Sequence, residues 1–159
     1  MYDQFITASA LQYQVPEAWI RAVIQTESSW NARAYRAESQ INDASYGLMQ
    51  LLFKTAAALG YAGVPEGLFD PQINIDLGTK LLAQLRSKYG ENAERVYSAY
   101  NSGNPDKYLS SSEIGANVDR FMANLENAIR EHPFVASTGA LGVAAIAAVL
   151  LWAWGKRKK

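Results

Sequence analysis

The stretch of residues 19–30, WIRAVIQTESSW, most constrains the fold, because its apolar residues repeat with the period of a helix. Ile20, Val23 and Ile24 fall at positions i, i+3 and i+4. Glu27 follows at i+7 on the same face, so a helix here turns a carboxylate toward the protein interior. An ionised carboxylate is costly to bury alone, so Glu27 indicates either a structural ion pair or a carboxyl group with a raised pKa.

The other periodic segments before residue 132 also have a helical pattern, and no alternating run is long enough to predict a strand. We therefore predict an all-α domain. The polar stretch 31–46 has no lasting period and predicts a long connection of the kind that is usually functional. The predicted helices span 3–14 with Asp3 as cap, 16–29 with Pro16 in the first turn, 51–59, 71 or 74 to 89, 92–100, and 111 or 112 to 129.

Composition excludes several classes of site. There is no cysteine, which excludes disulfides, thiolate metal sites and cysteine nucleophiles, and the single histidine, His132, excludes a histidine metal cluster. We expect no cofactor. The chain has fifteen cationic and fifteen acidic side chains, but four of the cations are the last four residues, which leaves the rest at −4. Such a body lacks the basic surface of a nucleic-acid binder.

The C-terminal part has the pattern of a membrane anchor. Residues 134–154 are 21 positions without a charge, ending in two tryptophans and followed by GKRKK. This length spans a bilayer as a helix, and the basic flank predicts a cytoplasmic tail with the domain on the other side. The alternative is a buried core helix. We thus predict a domain at 1–131, a hinge at 132–133, a single transmembrane helix at 134–154 and a basic tail at 155–159, with no secretory signal at the N-terminus.

Three short motifs carry a family resemblance: Glu-Ser at 27–28, Gly-Leu-Met-Gln at 47–50 and Ala-Tyr-Asn-Ser-Gly at 99–103. With the Leu-Phe-Asp-Pro block at 68–71 between them, they resemble the lytic transglycosylase (SLT) domains, a goose-lysozyme-like family that cleaves peptidoglycan. The resemblance covers about residues 12–130. It implies a lysozyme-like helical fold with peptidoglycan glycan strands as substrate.

Cleavage of a glycosidic bond requires a proton on the leaving oxygen, so a carboxyl group that stays protonated near neutral pH is needed. Glu27 has the right surroundings. Most glycosidases add a second carboxylate, and only Asp43, in the connection, is a weak candidate here. The resemblance implies that one glutamate acts as acid and then base, while the muramic 6-hydroxyl closes a 1,6-anhydro ring. For Glu27 the alternative is an ion pair with Arg21, Arg33 or Arg36.

The resemblance also implies roles for three residues around the glycan backbone. Ser28 would orient Glu27 or the substrate. Gly47 would let the glycan approach the main chain closely. Met49 would pack against a sugar face, with ordinary core packing as an even alternative.

Three further substrate-binding roles follow from the same resemblance. Gln50 would hydrogen-bond the glycan, with a solvated helix position as its alternative. Tyr100 would contact Glu27 through its hydroxyl, or simply pack. Asn101 would bind an N-acetyl group, or only end its helix.

Two positions depart from the family pattern. Ala44 and Ser45 stand where the family commonly has Gly-Ala, and Asn117 stands where it tends to have a tyrosine in its final helix. Tyr108 is a candidate to replace that tyrosine.

The sequence therefore predicts a membrane-tethered peptidoglycan lytic transglycosylase. The absence of a signal peptide beside a C-terminal anchor favours a bacteriophage virion or lysis protein, with the host inner membrane or a virion membrane as location and capsid-associated proteins as partners. The alternatives are a hydrolytic lysozyme, a glycan-binding membrane protein without activity, and a holin-like pore, which a single span disfavours.

Overall fold

The computed structural model describes residues 1–132. Six helices dominate it, and three short strands form a small sheet. The helices are α1 Asp3–Tyr13, α2 Glu17–Ser28, α3 Phe53–Ala58, α4 Pro71–Tyr89, α5 Ala93–Ser102 and α6 Ser112–Glu131. The strands are β1 Tyr35–Glu38, β2 Asp43–Tyr46 and β3 Leu51–Leu52, and single 3₁₀ turns lie at Ser39–Ile41, Pro65–Phe69 and Lys107–Leu109.

The prediction of an all-α domain is wrong in the connection between α2 and α3. There the strands pair antiparallel in the order β1-β2-β3, with Tyr35 opposite Tyr46 and Ser45 opposite Leu52. Each strand has only two to four residues, which is too short for alternation to show in the sequence. A left-handed residue, Asn42 with φ 48°, completes the reversal between β1 and β2.

The main core lies between α2 and the helices around it. Helix α2 packs mainly on α6, and α1 packs on α4. The fully buried residues of α2 include Ile20, Val23 and Ile24, so the predicted apolar face is confirmed. A smaller apolar cluster lies beneath the sheet and α3, around Leu51 and Leu68.

The first residues of α4, α5 and α6 follow the sequence signals, but those of α1 and α3 do not. The helix predicted from residue 51 begins at Phe53, and Leu51–Leu52 form β3 instead. The side chains of Asp70, Asn92 and Ser111 cap α4, α5 and α6. Asp3, predicted as the cap of α1, is instead its first residue, because its carboxylate is bound by Arg21 at 2.8 Å. Helix α4 ends at the predicted Gly90, whose φ is 72°.

Within residues 1–132 no helix combines the length and apolar character needed to cross a bilayer. The predicted transmembrane helix at 134–154 and the tail at 155–159 lie outside the described residues.

Candidate active site

Glu27 lies at the C-terminal end of α2 and opens into a cleft of about 520 Å³. The cleft is lined by residues of the β1-β2 hairpin, by the C-terminal part of α4 and by the end of α5. The cleft holds Gln50, Tyr100 and Asn101 beside Glu27, so four of the seven predicted site residues share one cavity. The hairpin side chains in the wall are Arg36, Glu38, Ile41 and Ser45.

The hydroxyl of Tyr97 donates a hydrogen bond of 2.7 Å to Oε1 of Glu27. Burial raises the pKa of the Glu27 carboxyl above its ordinary value of 4.5. The Tyr97 hydrogen bond, the positive charges of Arg36 and Arg120, and the Asn101 side chain oppose that rise, but burial prevails. The site therefore favours a carboxyl group that keeps its proton to higher pH than an exposed glutamate does.

The ion-pair alternative for Glu27 is not what the structure shows. Arg21 pairs with Glu17 and Asp3. Arg36 pairs with Glu38 at 2.6 Å, and Arg33 lies over the ring of Phe69. Among the ion pairs formed by residues 1–132, none includes Glu27.

Tyr97 is the contact that the sequence analysis missed. The predicted hydroxyl contact from Tyr100 is wrong, because the Tyr100 hydroxyl donates to the main-chain carbonyl of Met49 at 2.7 Å. Tyr97 precedes Tyr100 by three residues, so the two share one face of α5. That spacing was the available signal. Tyr108, the candidate to replace a final-helix tyrosine, is not among the residues that line the cleft.

The turn at 47–50 is held by Asn74, which is fully buried in α4. Its side-chain amide donates to the carbonyls of Tyr46 and Leu68 at 2.9 and 2.8 Å, and its oxygen accepts from the Met49 amide at 2.8 Å. One side chain therefore fixes three main-chain groups. Asn74 was predicted only as one possible start of α4, and its role in holding the turn was not predicted.

The roles predicted for Gly47 and Met49 are corrected by this packing. Gly47 has φ 73°, and a Cβ there would lie 2.6 Å from both the Asn74 amide nitrogen and the Leu68 carbonyl. Protein atoms are therefore a sufficient reason for this glycine. Met49 is fully buried, and its sulfur occupies the space that a side chain at Gly78 would need. Met49 is therefore core, as in its alternative interpretation, and does not line the cleft.

Ser28 links the end of α2, which carries Glu27, to the turn at 47–50. Its hydroxyl donates to the Leu48 carbonyl at 2.7 Å and lies 3.1 Å from that of Ile24. Ser28 is outside the cleft lining, so it can steady Glu27 but does not face the space for substrate. Gln50, with φ 47°, donates through Nε2 to the carbonyls of Ala34 and Gly47 and also lines the cleft.

Asn101 and Asn117 form a link between α5 and α6. The Asn117 amide donates to Oδ1 of Asn101 at 3.3 Å, and Arg120 donates to Oδ1 of Asn117. An amide whose oxygen accepts in this way has its amino group free to turn elsewhere. The residue that replaces the expected tyrosine thus orients a cleft residue.

The cleft holds a second carboxylate that the sequence analysis did not single out. Glu38 of β1 lines it, bound by Arg36 and lying 3.4 Å from the Ser45 hydroxyl. Asp43, the weak candidate, accepts instead from the amides of Ala44 and Lys54 and is not in the cleft lining. The hairpin was not predicted, so nothing in the sequence placed Glu38 across from α5.

A mostly helical domain with a buried carboxyl group at one end of a cleft is the architecture of the lysozyme-like class. Within that class, residues 4–113 match the family model described as the transglycosylase SLT domain, and the chain belongs to this family.

The relatives give the same assignment. The chain is 34% identical over 116 residues to the membrane-bound lytic murein transglycosylase C of Shigella sonnei, which covers 64% of the chain and 31% of that protein. It is 38% identical over 95 residues to the protein of the same name from Yersinia pestis, covering 55% of the chain and 25% of the relative. The chain thus spans less than a third of the length of these relatives.

Among solved structures, an inactive mutant of the lytic transglycosylase Slt from Pseudomonas aeruginosa has the same fold. The TM-score is 0.73 at 20% identity, covering 84% of this chain and 24% of that one. The 70 kDa soluble lytic transglycosylase of Escherichia coli gives 0.72 at 21% identity, covering 82% of this chain and 24% of that one.

Proposed function

We propose that this chain is a peptidoglycan lytic transglycosylase that cleaves the β-1,4 bond between N-acetylmuramic acid and N-acetylglucosamine. The observation that carries the proposal is Glu27, a carboxyl group on a core helix with a burial-raised pKa, no ion pair within residues 1–132, and an open cleft before it. The names of the relatives and the family membership support the substrate class.

In the proposed reaction Glu27 gives its proton to the glycosidic oxygen as the bond from the muramic C1 to that oxygen breaks. The glucosamine leaves with a free 4-hydroxyl. The muramic 6-hydroxyl then bonds to C1, and the Glu27 carboxylate takes the proton that this hydroxyl loses. The products carry a 1,6-anhydro end, Glu27 is protonated again, and no water is consumed.

Glu38 supports a second candidate, hydrolysis by a muramidase on the same fold. A second carboxylate in the cleft is what an inverting or retaining glycosidase uses to activate water or to form a covalent intermediate. Here Oε1 of Glu38 is already held by Arg36 at 2.6 Å and also accepts from the Ser45 hydroxyl, so this oxygen is engaged with protein groups and not with a water or a sugar carbon. We therefore favour transglycosylation, with Glu38 as the residue that decides between the two.

The test is mass spectrometry of peptidoglycan digested by the wild type and by two variants. We expect 1,6-anhydro-muropeptides from the wild type, none from Glu27→Gln, and undiminished anhydro products from Glu38→Gln. Exposed Glu113→Gln is the matched control. Reducing ends that disappear in Glu38→Gln would identify a hydrolase. Products from Glu27→Gln equal to those of the wild type would remove the catalytic role of Glu27, and no products from either chain would leave a glycan-binding protein.

Gln50, Tyr100 and Asn101 line the same cleft as Glu27, which supports a substrate-binding role for each of them. Ser28 lies outside the cleft lining and holds the end of α2 that carries Glu27. Nothing in the cleft calls for a cofactor in this proposed mechanism, because proton transfer and the substrate's own hydroxyl complete the reaction.

We also propose that residues 1–131 are the catalytic unit, joined through 132–133 to a membrane helix at 134–154 with a cytoplasmic tail at 155–159. The charge-free composition of that segment and relatives named membrane-bound support this. Flotation of the full-length chain with liposomes tests it. Ile146→Arg, near the middle of the segment, should reduce flotation, while Ile41→Arg on the exposed hairpin should not. Equal flotation of both variants would contradict the anchor.

The bacteriophage context remains a prediction from the sequence. Detection of the chain by mass spectrometry in purified virions or in infected cells at lysis would support it, and absence from both would remove it.

A further inference from the structure

The Tyr97 side chain is buried, and its ring stacks on two other aromatic rings. It is 1% exposed, and its ring is parallel to that of Phe121 at 4.3 Å between centroids and to that of Tyr100 at 6.3 Å. A ring between two stacked neighbours cannot tilt or swing away. Its hydroxyl therefore has a fixed position, 2.7 Å from Oε1 of Glu27.

The hydroxyl is also restricted to one direction of hydrogen bonding. Burial, followed by the nearby Glu27 carboxylate, raises the pKa of Tyr97 far above that of an exposed tyrosine, so it stays protonated. An ionised carboxylate offers no proton, so between the two groups Tyr97 is the donor. When Glu27 is neutral, a proton on Oε1 would reverse this bond and leave the buried Tyr97 hydroxyl proton without an acceptor among residues 1–132, so the Glu27 proton is favoured on the other oxygen.

We infer that Tyr97 is a positioning residue that keeps Oε1 of Glu27 as a permanent acceptor and makes Oε2 the oxygen that releases and recovers the proton. The inference rests on the proposed function, since it assigns the two oxygens of the same acid. A carboxyl group that could rotate freely would present either oxygen to the substrate, and only part of its population would be aligned for proton transfer. Tyr97 removes that freedom.

This role differs from packing because the ring and the hydroxyl can be separated. Tyr97→Phe keeps the stacked ring and removes one hydrogen bond. Tyr13→Phe is the matched control: Tyr13 also donates to a carboxylate, Asp76 Oδ2 at 3.0 Å, but lies outside the cleft. Both variants lose the same kind of bond, and only one loses it at the acid.

The first measurement needs no substrate. The full-length chain is labelled with ¹³C at the glutamate carboxyl carbons and titrated by NMR, and Glu27→Gln identifies the Glu27 signal by its disappearance. The Tyr97 bond favours the charged carboxylate, so Tyr97→Phe should raise the pKa of Glu27 and Tyr13→Phe should leave it unchanged. A Glu27 pKa equal in wild type and Tyr97→Phe would overturn the inference, whatever the enzyme does.

The second measurement is the pH dependence of muropeptide release. For Tyr97→Phe we expect the alkaline limb of kcat/KM to move to higher pH, kcat to fall on the order of tenfold and KM to stay unchanged. Thermal unfolding confirms that each variant is folded. A fall in kcat without any shift of the alkaline limb would mean a structural role and overturn the inference. If the wild type released no products, the proposed function would fail while the titration still decided the role of Tyr97.

Discussion

Helix α2 has a glutamate at each end, and only one of the two has a cationic partner. Glu17, at its N-terminal end, is 7% exposed and bound by the Arg21 guanidinium at 3.1 Å and the Thr7 hydroxyl at 2.7 Å. Glu27, at its other end, has a tyrosine hydroxyl and no contacting cation within the described part of the chain. Both carboxyl groups have lost contact with water, Glu27 less completely than Glu17, but only Glu17 has the cationic partner that makes an ionised group tolerable there.

The difference distinguishes a carboxylate that stabilises the fold, Glu17, from a carboxyl group suited to proton transfer, Glu27. At Glu17 the cation compensates the burial, so the carboxylate joins α1 and α2 through Thr7, Asp3 and Arg21. At Glu27 the burial is only partly compensated, and the pKa of the carboxyl group is raised. If this comparison is correct, the same substitution at the two positions must give opposite results.

The largest expected effect is on activity at Glu27. Glu27→Gln removes the proton donor while keeping the shape of the side chain, so we expect kcat/KM for muropeptide release to fall at least about a thousandfold. Glu17→Gln should stay within about twofold of the wild type at 25 °C, because the residue is on the far end of the helix from the cleft. A comparable loss in both variants would break the comparison.

The next largest effect is on stability at Glu17. Glu17→Gln leaves the buried Arg21 with only its second carboxylate, Asp3, so we expect the free energy of unfolding to fall by about 3 kcal/mol. Urea denaturation monitored by circular dichroism measures it. A loss below about 0.5 kcal/mol would contradict this expectation, because it would mean that the attraction between Glu17 and Arg21 only offsets the cost of desolvating them.

Glu27→Gln should change stability in the other direction. A carboxyl group whose folded pKa is above its unfolded value stabilises the fold below the unfolded value and loses that contribution as pH rises through the folded one. At pH 7 the Glu27 carboxylate therefore opposes folding, and glutamine should raise the unfolding free energy by about 1 kcal/mol. The gain should vanish near and below pH 4.5, the ordinary glutamate value. Urea curves at pH 4 and pH 7 test this, and a gain that is equal at both would contradict it.

The sequence could supply the acid but not its surroundings. Glu27 was predictable because one helix of period 3.6 decides which side chains face inward. The spacing of Tyr97 and Tyr100 puts both on one face of α5, but it does not say which of them reaches Glu27. That choice, and the place of Glu38 in the cleft, depend on how α5 and the hairpin pack around α2, through contacts between residues far apart in the chain. The pairing of β1 and β2 is likewise not predictable from local pattern, because each strand has only four residues.

The motif residues show the same division. Gln50 and Asn101 were predicted to be near the acid and line its cleft. Met49 and Gly47, from the same short motif, serve the packing of the turn on α4. A motif records that residues are needed together, but it does not say which of them face a ligand and which hold the backbone in place.

A smaller effect is expected at Asn117, which orients Asn101 through a 3.3 Å hydrogen bond. Asn117→Ala removes this bond and the bond from Arg120 to the Asn117 oxygen, but neither is made to the Glu27 carboxyl group, so KM should rise about threefold and kcat should stay within twofold. Asn127→Ala, on the same helix but outside the cleft, is the control. A fall in kcat with unchanged KM would mean that α6 acts on Glu27 and not on substrate binding.

The smallest expected effect is the loss of stability on substitution of Asp3, the second carboxylate that binds Arg21 beside Glu17. Asp3 binds the same guanidinium at 2.8 Å, and that bond, with the N-terminal amine, lowers the pKa of Asp3 to about 2. Its contribution is thus present above pH 3.8 and lost as pH falls through about 2. Because its side chain is 61% exposed, solvent screens the pair, and Asp3→Asn should cost under about 0.5 kcal/mol at pH 7 and less in 1 M salt. If urea denaturation instead gave Asp3→Asn the same cost as Glu17→Gln, burial would not be what sets the strength of these carboxylates, and the contrast with Glu27 would lose its physical basis.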